Sequence, residues 1–105
     1  MEELSNNTLS SLPKNIKKPK YNRKKLSPGI IHIGVGNFHR AHQSWYLHRL
    51  FETGIDYNWA IVGAGVREFD VIQREKLIKQ NCLTTLIELK PTSKSVEIVG
   101  SMIDY

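Results

Sequence analysis

The chain has 105 residues, of which 40% are hydrophobic, and it carries a formal net charge of +5. This length allows one small domain, and a single cysteine excludes an internal disulfide. No signal peptide and no apolar stretch long enough to cross a membrane is visible in the sequence. We therefore expect a cytoplasmic protein without a membrane partner.

Much of the positive charge lies in the first 28 residues, which hold few large apolar side chains. Pro13, Pro19 and Pro28 interrupt any long helix there. Lysines and arginines cluster between positions 14 and 25, a pattern that can indicate nucleic-acid binding. No nucleic-acid fold signature accompanies the cluster. The sequence therefore predicts a flexible, solvated basic arm over residues 1–28 and no nucleic-acid partner.

From residue 29 onward, short apolar β-branched runs alternate with segments of helical periodicity. The pattern predicts a strand buried on both faces at 30–35, a helix at 38–53, a strand at 59–63, a helix at 68–80, and strands at 83–89 and 96–99. The last two strands form either a hairpin or two neighbouring strands. Alternation of strands and helices is typical of an α/β domain whose parallel sheet is connected by crossover helices.

A glycine-rich segment, GVGNFH at 34–39, stands between the first predicted strand and the first predicted helix. Dinucleotide-binding Rossmann domains carry their glycine fingerprint in this context. Gly34 would allow a tight turn, and Gly36 would let the backbone approach a pyrophosphate at the start of the helix. The third glycine of the usual fingerprint is replaced by His39. The alternative is a tight strand-to-helix turn without a ligand.

The residues after the second predicted strand would face the adenosine ribose in such a fold. A carboxylate from Glu68 or Asp70 would accept hydrogen bonds from the ribose hydroxyls and repel a 2′-phosphate, which favours NAD over NADP. Arg67 argues for NADP, because a guanidinium binds phosphate well. The alternative is a solvated helix start, where acidic residues are favoured without any ligand.

His39, Arg40 and His42 lie at or directly after the glycine loop. His39 and His42 could share one helix face, but no third ligand lies near them, and we predict no metal site. Arg40 lies in the first turn of the helix and could reach a phosphate. The predicted cofactor site thus comprises nine residues: Gly34, Gly36, Asn37, Phe38, His39, Arg40, Arg67, Glu68 and Asp70.

The runs GIIHIGVGNFHRAHQ at 29–43 and DYNWAIVGAGVR at 56–67 resemble the mannitol dehydrogenase family of long-chain polyol and hexuronate dehydrogenases. The similarity continues through 83–88 and 99–105. The arm resembles the start of the mannitol 2-dehydrogenase members at 9–13 and 19–21, which favours that group over fructuronate reductases. The resemblance implies reversible, metal-independent oxidation of a sugar alcohol or hydroxy acid to a ketose, with NAD as hydride acceptor.

The resemblance also implies which parts of the family's machinery this chain holds. In mannitol 2-dehydrogenases an acidic pair after the second strand selects NAD; Asp70 matches its second member, whereas Phe69 occupies the first position and Glu68 is displaced by one. The family's catalytic lysine, with its assisting asparagine and histidine, lies in a later helical domain. We therefore expect an arm at 1–28, a partial, incomplete Rossmann-like doubly wound domain at 29–105, and no catalytic residue.

Three functional interpretations follow from these expectations. The first is the N-terminal NAD-binding part of a mannitol 2-dehydrogenase-like enzyme, which is inactive alone and meets a polyol only in a full-length enzyme. The second is the corresponding part of a fructuronate reductase. The third is a non-catalytic nucleotide-binding or interaction module.

Overall fold

The computed structural model describes residues 3–105, which form six strands and three α-helices. The strands are β1 (Ile16–Lys17), β2 (Pro28–Ile33), β3 (Ala60–Ala64), β4 (Thr84–Leu89), β5 (Lys94–Val99) and β6 (Met102–Asp104). The helices are α1 (Asn37–Ala41), α2 (Gln43–Glu52) and α3 (Asp70–Lys79). Among these described residues, no helix combines the length and the apolar character that crossing a membrane requires.

A three-stranded parallel sheet contains β2, β3 and β6 in that order. Ile30 and Ile31 of β2 lie opposite Ile61 and Val62 of β3. Helices α1 and α2 connect β2 to β3, as the alternating sequence pattern predicted, and the fold is an incomplete Rossmann-like α/β domain. Strand β6 was not predicted, because a run of three residues carries little periodicity of its own.

A second sheet contains β1, β5 and β4. Strands β4 and β5 form an antiparallel hairpin in which Thr84 lies opposite Val99 and Leu89 opposite Lys94. The sequence predicts either a hairpin or two neighbouring strands here, and the structure shows the hairpin. The hairpin belongs to a different sheet from β2, β3 and β6. Its antiparallel return after a short polar turn needs no crossover helix.

The helices cover only one face of the parallel sheet. Leu47 of α2 and Leu77 of α3 pack with Ile61 in one apolar cluster, whereas Ile31 and Ile33 on the opposite face are 74% and 62% exposed. Successive right-handed crossovers that advance in one direction place their helices on the same face. The prediction that the first strand is buried on both faces is therefore wrong for this chain.

The helix predicted over 38–53 is divided into α1 and α2 at His42. His42 has the non-helical dihedrals φ −120° and ψ −82°, and its ring Nδ1 lies 2.8 Å from the carbonyl oxygen of Phe38. A side chain that engages the backbone in this way competes with continuous helical hydrogen bonding. A single helical turn, rather than a long helix, thus follows the glycine loop.

The prediction of a flexible arm is wrong for its second half, which packs against the domain. Strand β1 pairs in parallel with β5, and Tyr21 and Leu26 are buried beside Phe51 and Ala60. The arm holds few apolar side chains, but these two are buried and pack it against α2 and β3. Residues 1 and 2 of the arm lie outside the described residues.

Arg23 provides the main polar attachment of the arm. Its guanidinium donates hydrogen bonds to the carbonyl oxygens of Gly100 at 3.0 Å, Asn81 at 2.8 Å and Met102 at 2.6 Å. A planar fork of donors suits such a set of fixed acceptors. Arg23 therefore joins the arm to the end of α3 and to the connection between β5 and β6.

We expect Arg23→Ala to lower the free energy of unfolding by about 3 kcal/mol, because it leaves several carbonyl groups without their charged donor. Urea titration followed by circular dichroism measures the change. Lys24→Ala removes a neighbouring exposed cation and should shift the value by no more than about 0.5 kcal/mol. Equal losses in both variants would show that the Arg23 contacts contribute nothing specific.

Candidate functional site

The loop after β2 contains two glycines, and the structure requires glycine at only one of the two positions. Gly34 has a φ of +84°, which favours glycine, and its N–H donates to the carbonyl oxygen of Ala64 at 2.9 Å. Gly36 has extended dihedrals of φ −126° and ψ −172°, and a Cβ placed there would meet no atom within 4 Å. Nothing within the described chain requires glycine at position 36, and its missing side chain leaves open space above the loop.

A cleft of about 420 Å³ lies between this loop and the start of α3. Gly36, Asn37 and Arg40 line one side, and Arg67 and Asp70 line the other. The two sides meet because β2 and β3 are adjacent parallel strands, so their carboxyl ends open at the same edge of the sheet. The structure thus brings together five of the nine residues that the sequence singled out.

Four lining residues were missed by the sequence analysis: Val35, Phe69, Ile72 and Gln73. Val35 stands between the two loop glycines. The other three are spaced at i, i+3 and i+4, which places side chains on one face at the start of a helix. That spacing was the available signal, but it does not distinguish a helix face that lines a cleft from one that packs against the sheet.

Arg40 is folded back onto the glycine loop. Its Nε donates to the carbonyl oxygen of Gly36 at 3.3 Å, and its NH2 group donates to the Asn37 side-chain oxygen at 2.5 Å. These contacts hold the guanidinium at the cleft wall. A positive charge therefore lies beside the open space above Gly36.

The carboxylate of Asp70 accepts hydrogen bonds from the loop that precedes α3. Its Oδ2 accepts hydrogen bonds from the backbone N–H groups of Arg67 at 2.9 Å and Val66 at 3.0 Å. These bonds, with that from Arg67 foremost, hold the pKa of Asp70 below its ordinary value, against the opposing effect of burial. A Cβ at Gly65 would lie only 2.4 Å from the Asp70 Cβ, so glycine at 65 allows the carboxylate to close the turn.

Arg67 and Glu68 are both exposed at the entrance to α3. The side chain of Arg67 is 61% exposed, and its guanidinium carbon lies 4.2 Å from the centre of the Phe69 ring. Glu68 is exposed and does not line the cleft. After β3 the cleft is therefore lined by an exposed cation, Arg67, and by the buried carboxylate of Asp70, which lies 3.5 Å from the Arg67 guanidinium.

The remaining predicted residues lie outside the cleft lining. Phe38 is 78% exposed and stacks on His42 with ring centres 4.1 Å apart. His39 is buried and stacks on His32 at 3.5 Å, and burial is the main cause that lowers its pKa to about 4. His39 is therefore neutral at pH 7 and fills space behind the loop, where the usual fingerprint has a glycine. Gly34 shapes the turn without lining the cleft.

We expect Asp70→Ala to lower the urea midpoint of unfolding, because two loop N–H groups lose their acceptor. Asp70→Asn keeps an acceptor oxygen and should lose less, and Glu68→Ala should leave the midpoint unchanged. The Asp70 contribution is present at pH 7 and disappears as the pH falls through the lowered carboxyl pKa, since protonation weakens the acceptor. An equal midpoint for Asp70→Ala and the unaltered chain between pH 3 and 7 would contradict this role.

Comparison with known proteins connects this chain to one family. Residues 28–105 match the family described as the mannitol dehydrogenase Rossmann domain. A mannitol 2-dehydrogenase of Cereibacter sphaeroides is 50% identical over 94 residues, covering 90% of this chain and 20% of that protein. A polyol:NADP oxidoreductase of Gluconobacter oxydans is 41% identical, covering 97% of this chain and 21% of that protein.

A solved structure shows the same fold. The ternary complex of Pseudomonas fluorescens mannitol 2-dehydrogenase with NAD and D-mannitol superposes with a TM-score of 0.92 at 41% sequence identity. The match covers 96% of this chain and 21% of that one, and the chain spans about a fifth of the length of the curated relatives it matches. By its sequence and its fold, this chain belongs to the mannitol dehydrogenase family.

Proposed function

We propose that this chain is the N-terminal NAD-binding part of a polyol dehydrogenase that interconverts mannitol and fructose. The observation that carries the proposal is Gly36, a glycine that the chain's own packing does not require, at the wall of a cleft of about 420 Å³. A missing side chain in that position suits a ligand that must approach the backbone closely. Membership of the mannitol dehydrogenase family supports this assignment.

The charges around the cleft suit the pyrophosphate of a dinucleotide. Arg40 stands on one wall and Arg67 on the other, and guanidinium groups pair well with phosphate oxygens. The single turn of α1 adds N–H groups that lack acceptors within the helix. This turn supplies less dipole than the long helix expected from the sequence, so the two arginines carry more of the charge complementarity.

The preference for NAD over NADP is a separate part of the proposal. Asp70 lines the cleft, and its carboxylate would repel a 2′-phosphate bound beside it. Arg67 opposes this effect, because its exposed guanidinium would attract the same phosphate. We propose a preference for NAD rather than exclusion of NADP, and Asp70 serves mainly by shaping the loop that holds Arg67.

When bound, NAD would supply the hydride acceptor, and this chain's residues would bind and orient it. The cleft's titratable side chains are poor general bases, since two are arginines and the pKa of Asp70 is lowered. In the mannitol dehydrogenase family the catalytic lysine lies in a later helical domain. The polyol and its proton acceptor therefore belong to the proposed full-length enzyme.

We expect the chain to bind NAD in isothermal titration calorimetry and Gly36→Val to abolish that binding. The extended dihedrals and the free space at Gly36 admit a valine without disturbing the fold, so the loss would report a side chain in the pyrophosphate position. Gly36→Ala should retain weaker binding. Thermal unfolding midpoints of both variants should match that of the unaltered chain.

Two results would contradict the cofactor proposal. The first is the absence of NAD binding by the folded, unaltered chain at millimolar cofactor. The second is equal NAD affinity in the unaltered chain and in a folded Gly36→Val variant, which would place the phosphates elsewhere.

We expect the chain alone to show no mannitol oxidation and no reduction of fructose or fructuronate. The reason is the lack of a general base among the residues that line the cofactor cleft. Absorbance of NADH at increasing concentrations of purified chain measures this activity. Turnover that rises in proportion to the chain would contradict the assignment of catalysis to other parts of the enzyme.

A further inference from the structure

A second cleft, of about 620 Å³, lies between the N-terminal segment and the end of α2. It shares no lining residue with the cofactor cleft. Its cations come from two separate parts of the chain: Lys14, Lys17, Lys18, Lys20 and Arg49. Four lysines of the basic cluster predicted on a solvated arm thus line a concave site.

These five cations have no acidic partner of their own. Within residues 3–105, the ion pairs join His48 to Glu52 and Glu97, Arg67 to Asp70, and Lys79 to Glu3. None of them involves a cation of this second cleft. Lys18 Nζ donates to the Leu12 carbonyl oxygen at 3.3 Å and the Arg49 guanidinium carbon lies 5.5 Å from the centre of the Trp45 ring, but neither contact neutralises the charge. Like charges concentrated in this way repel one another until an anion enters.

Two carboxylates line the same cleft and are engaged by neighbouring groups; Glu52 Oε1 accepts a hydrogen bond from the backbone N–H of Lys20 at 3.3 Å. Glu52 Oε1 lies 3.3 Å from His48 Nε2, and Glu97 accepts a hydrogen bond from Trp45 Nε1 at 2.9 Å. The N–H of Gly100 donates to His48 Nδ1 at 3.3 Å, so the ring proton stands on Nε2, toward the carboxylates. Their side chains are only 18% and 16% exposed, which leaves the lysines and Arg49 to dominate the open part of the cleft.

The lysine-bearing segment is held in place rather than free. Ile16 and Lys17 pair with Val96 and Glu97 of β5, and the Tyr21 hydroxyl lies 2.5 Å from His48 Nδ1. Fixing the backbone on both sides of Lys18 and Lys20 reduces the entropy lost when these side chains bind a ligand. The cleft is therefore preorganised for anions.

We infer that this second cleft binds a small oligophosphate, an anion with two or three linked phosphate groups. Five cations against two mostly buried carboxylates call for a ligand with several negative charges, and lysine ammonium groups bind phosphate as point charges. The lining contains no aromatic residue on which a base could stack, which disfavours single-stranded nucleic acid. The site is distinct from the proposed cofactor site and does not rest on it.

Calorimetric titration of the chain with sodium tripolyphosphate tests the inference. Lys17→Gln/Lys20→Gln should weaken binding about tenfold or more, because it removes two of the five charges. Lys24→Gln/Lys25→Gln makes the same change in net charge outside the cleft and should weaken binding less than twofold. Equal weakening in both double variants, or no binding by the unaltered chain, would overturn the inference.

A measurement on the unaltered chain avoids any dependence on the folding of the variants. Tripolyphosphate should protect Lys14, Lys17, Lys18 and Lys20 from acetylation by a water-soluble active ester, as read by mass spectrometry, while Lys24 and Lys25 react as before. Uniform protection of all lysines would overturn the site. Tighter binding of a short DNA duplex or of phosphatidylserine vesicles, lost in the same Lys17/Lys20 variant, would replace the oligophosphate with a macromolecular partner.

Discussion

The buried polar contacts around Gly100 and Ser101 hold the two sheets, the arm and α2 together. Arg23 binds the Gly100 carbonyl from the arm, and His48 of α2 accepts the Gly100 N–H. Ser101 Oγ donates to the Ser44 carbonyl oxygen at 2.6 Å, where both serines are fully enclosed. Hydrogen bonds in such surroundings strengthen one another, and a partner left without its mate is costly. Since this connection joins β5 to β6, both sheets depend on it.

Both clefts depend on the position that α2 takes through these contacts. At its start, α2 follows the break at His42 and so fixes α1 and the glycine loop. At its end, α2 contributes Arg49 and Glu52 to the wall of the second cleft. Ser44 and His48, one turn apart, anchor the helix between these ends. The helix is thus a shared support for two binding surfaces that have no lining residue in common.

The sequence predicted the elements whose signals are local. The glycine loop, β3 and α3 could be located from apolar runs, glycines and periodicity. The packing of the arm could not, because Arg23 reaches acceptors 77 and 79 residues away in the chain. The open face of β2 could not be predicted either, since its Ile31 and Ile33 look like core residues whether or not a helix covers them. Burial depends on the rest of the fold, whereas strand propensity depends on the residue.

Asp70 and Gly36 show, for single residues, the same difference between what the sequence predicts and what only the fold determines. An acidic residue after the second strand is visible in the sequence, but the partner that its carboxylate takes is not. Here the N–H groups of Val66 and Arg67 occupy it, so its carboxylate orders the loop before any ribose reaches it. Gly36 is the converse case, because neither its dihedrals nor its neighbours require glycine. A residue identity that internal packing leaves unexplained is the stronger evidence for a ligand, and the cofactor proposal therefore depends on Gly36 more than on Asp70.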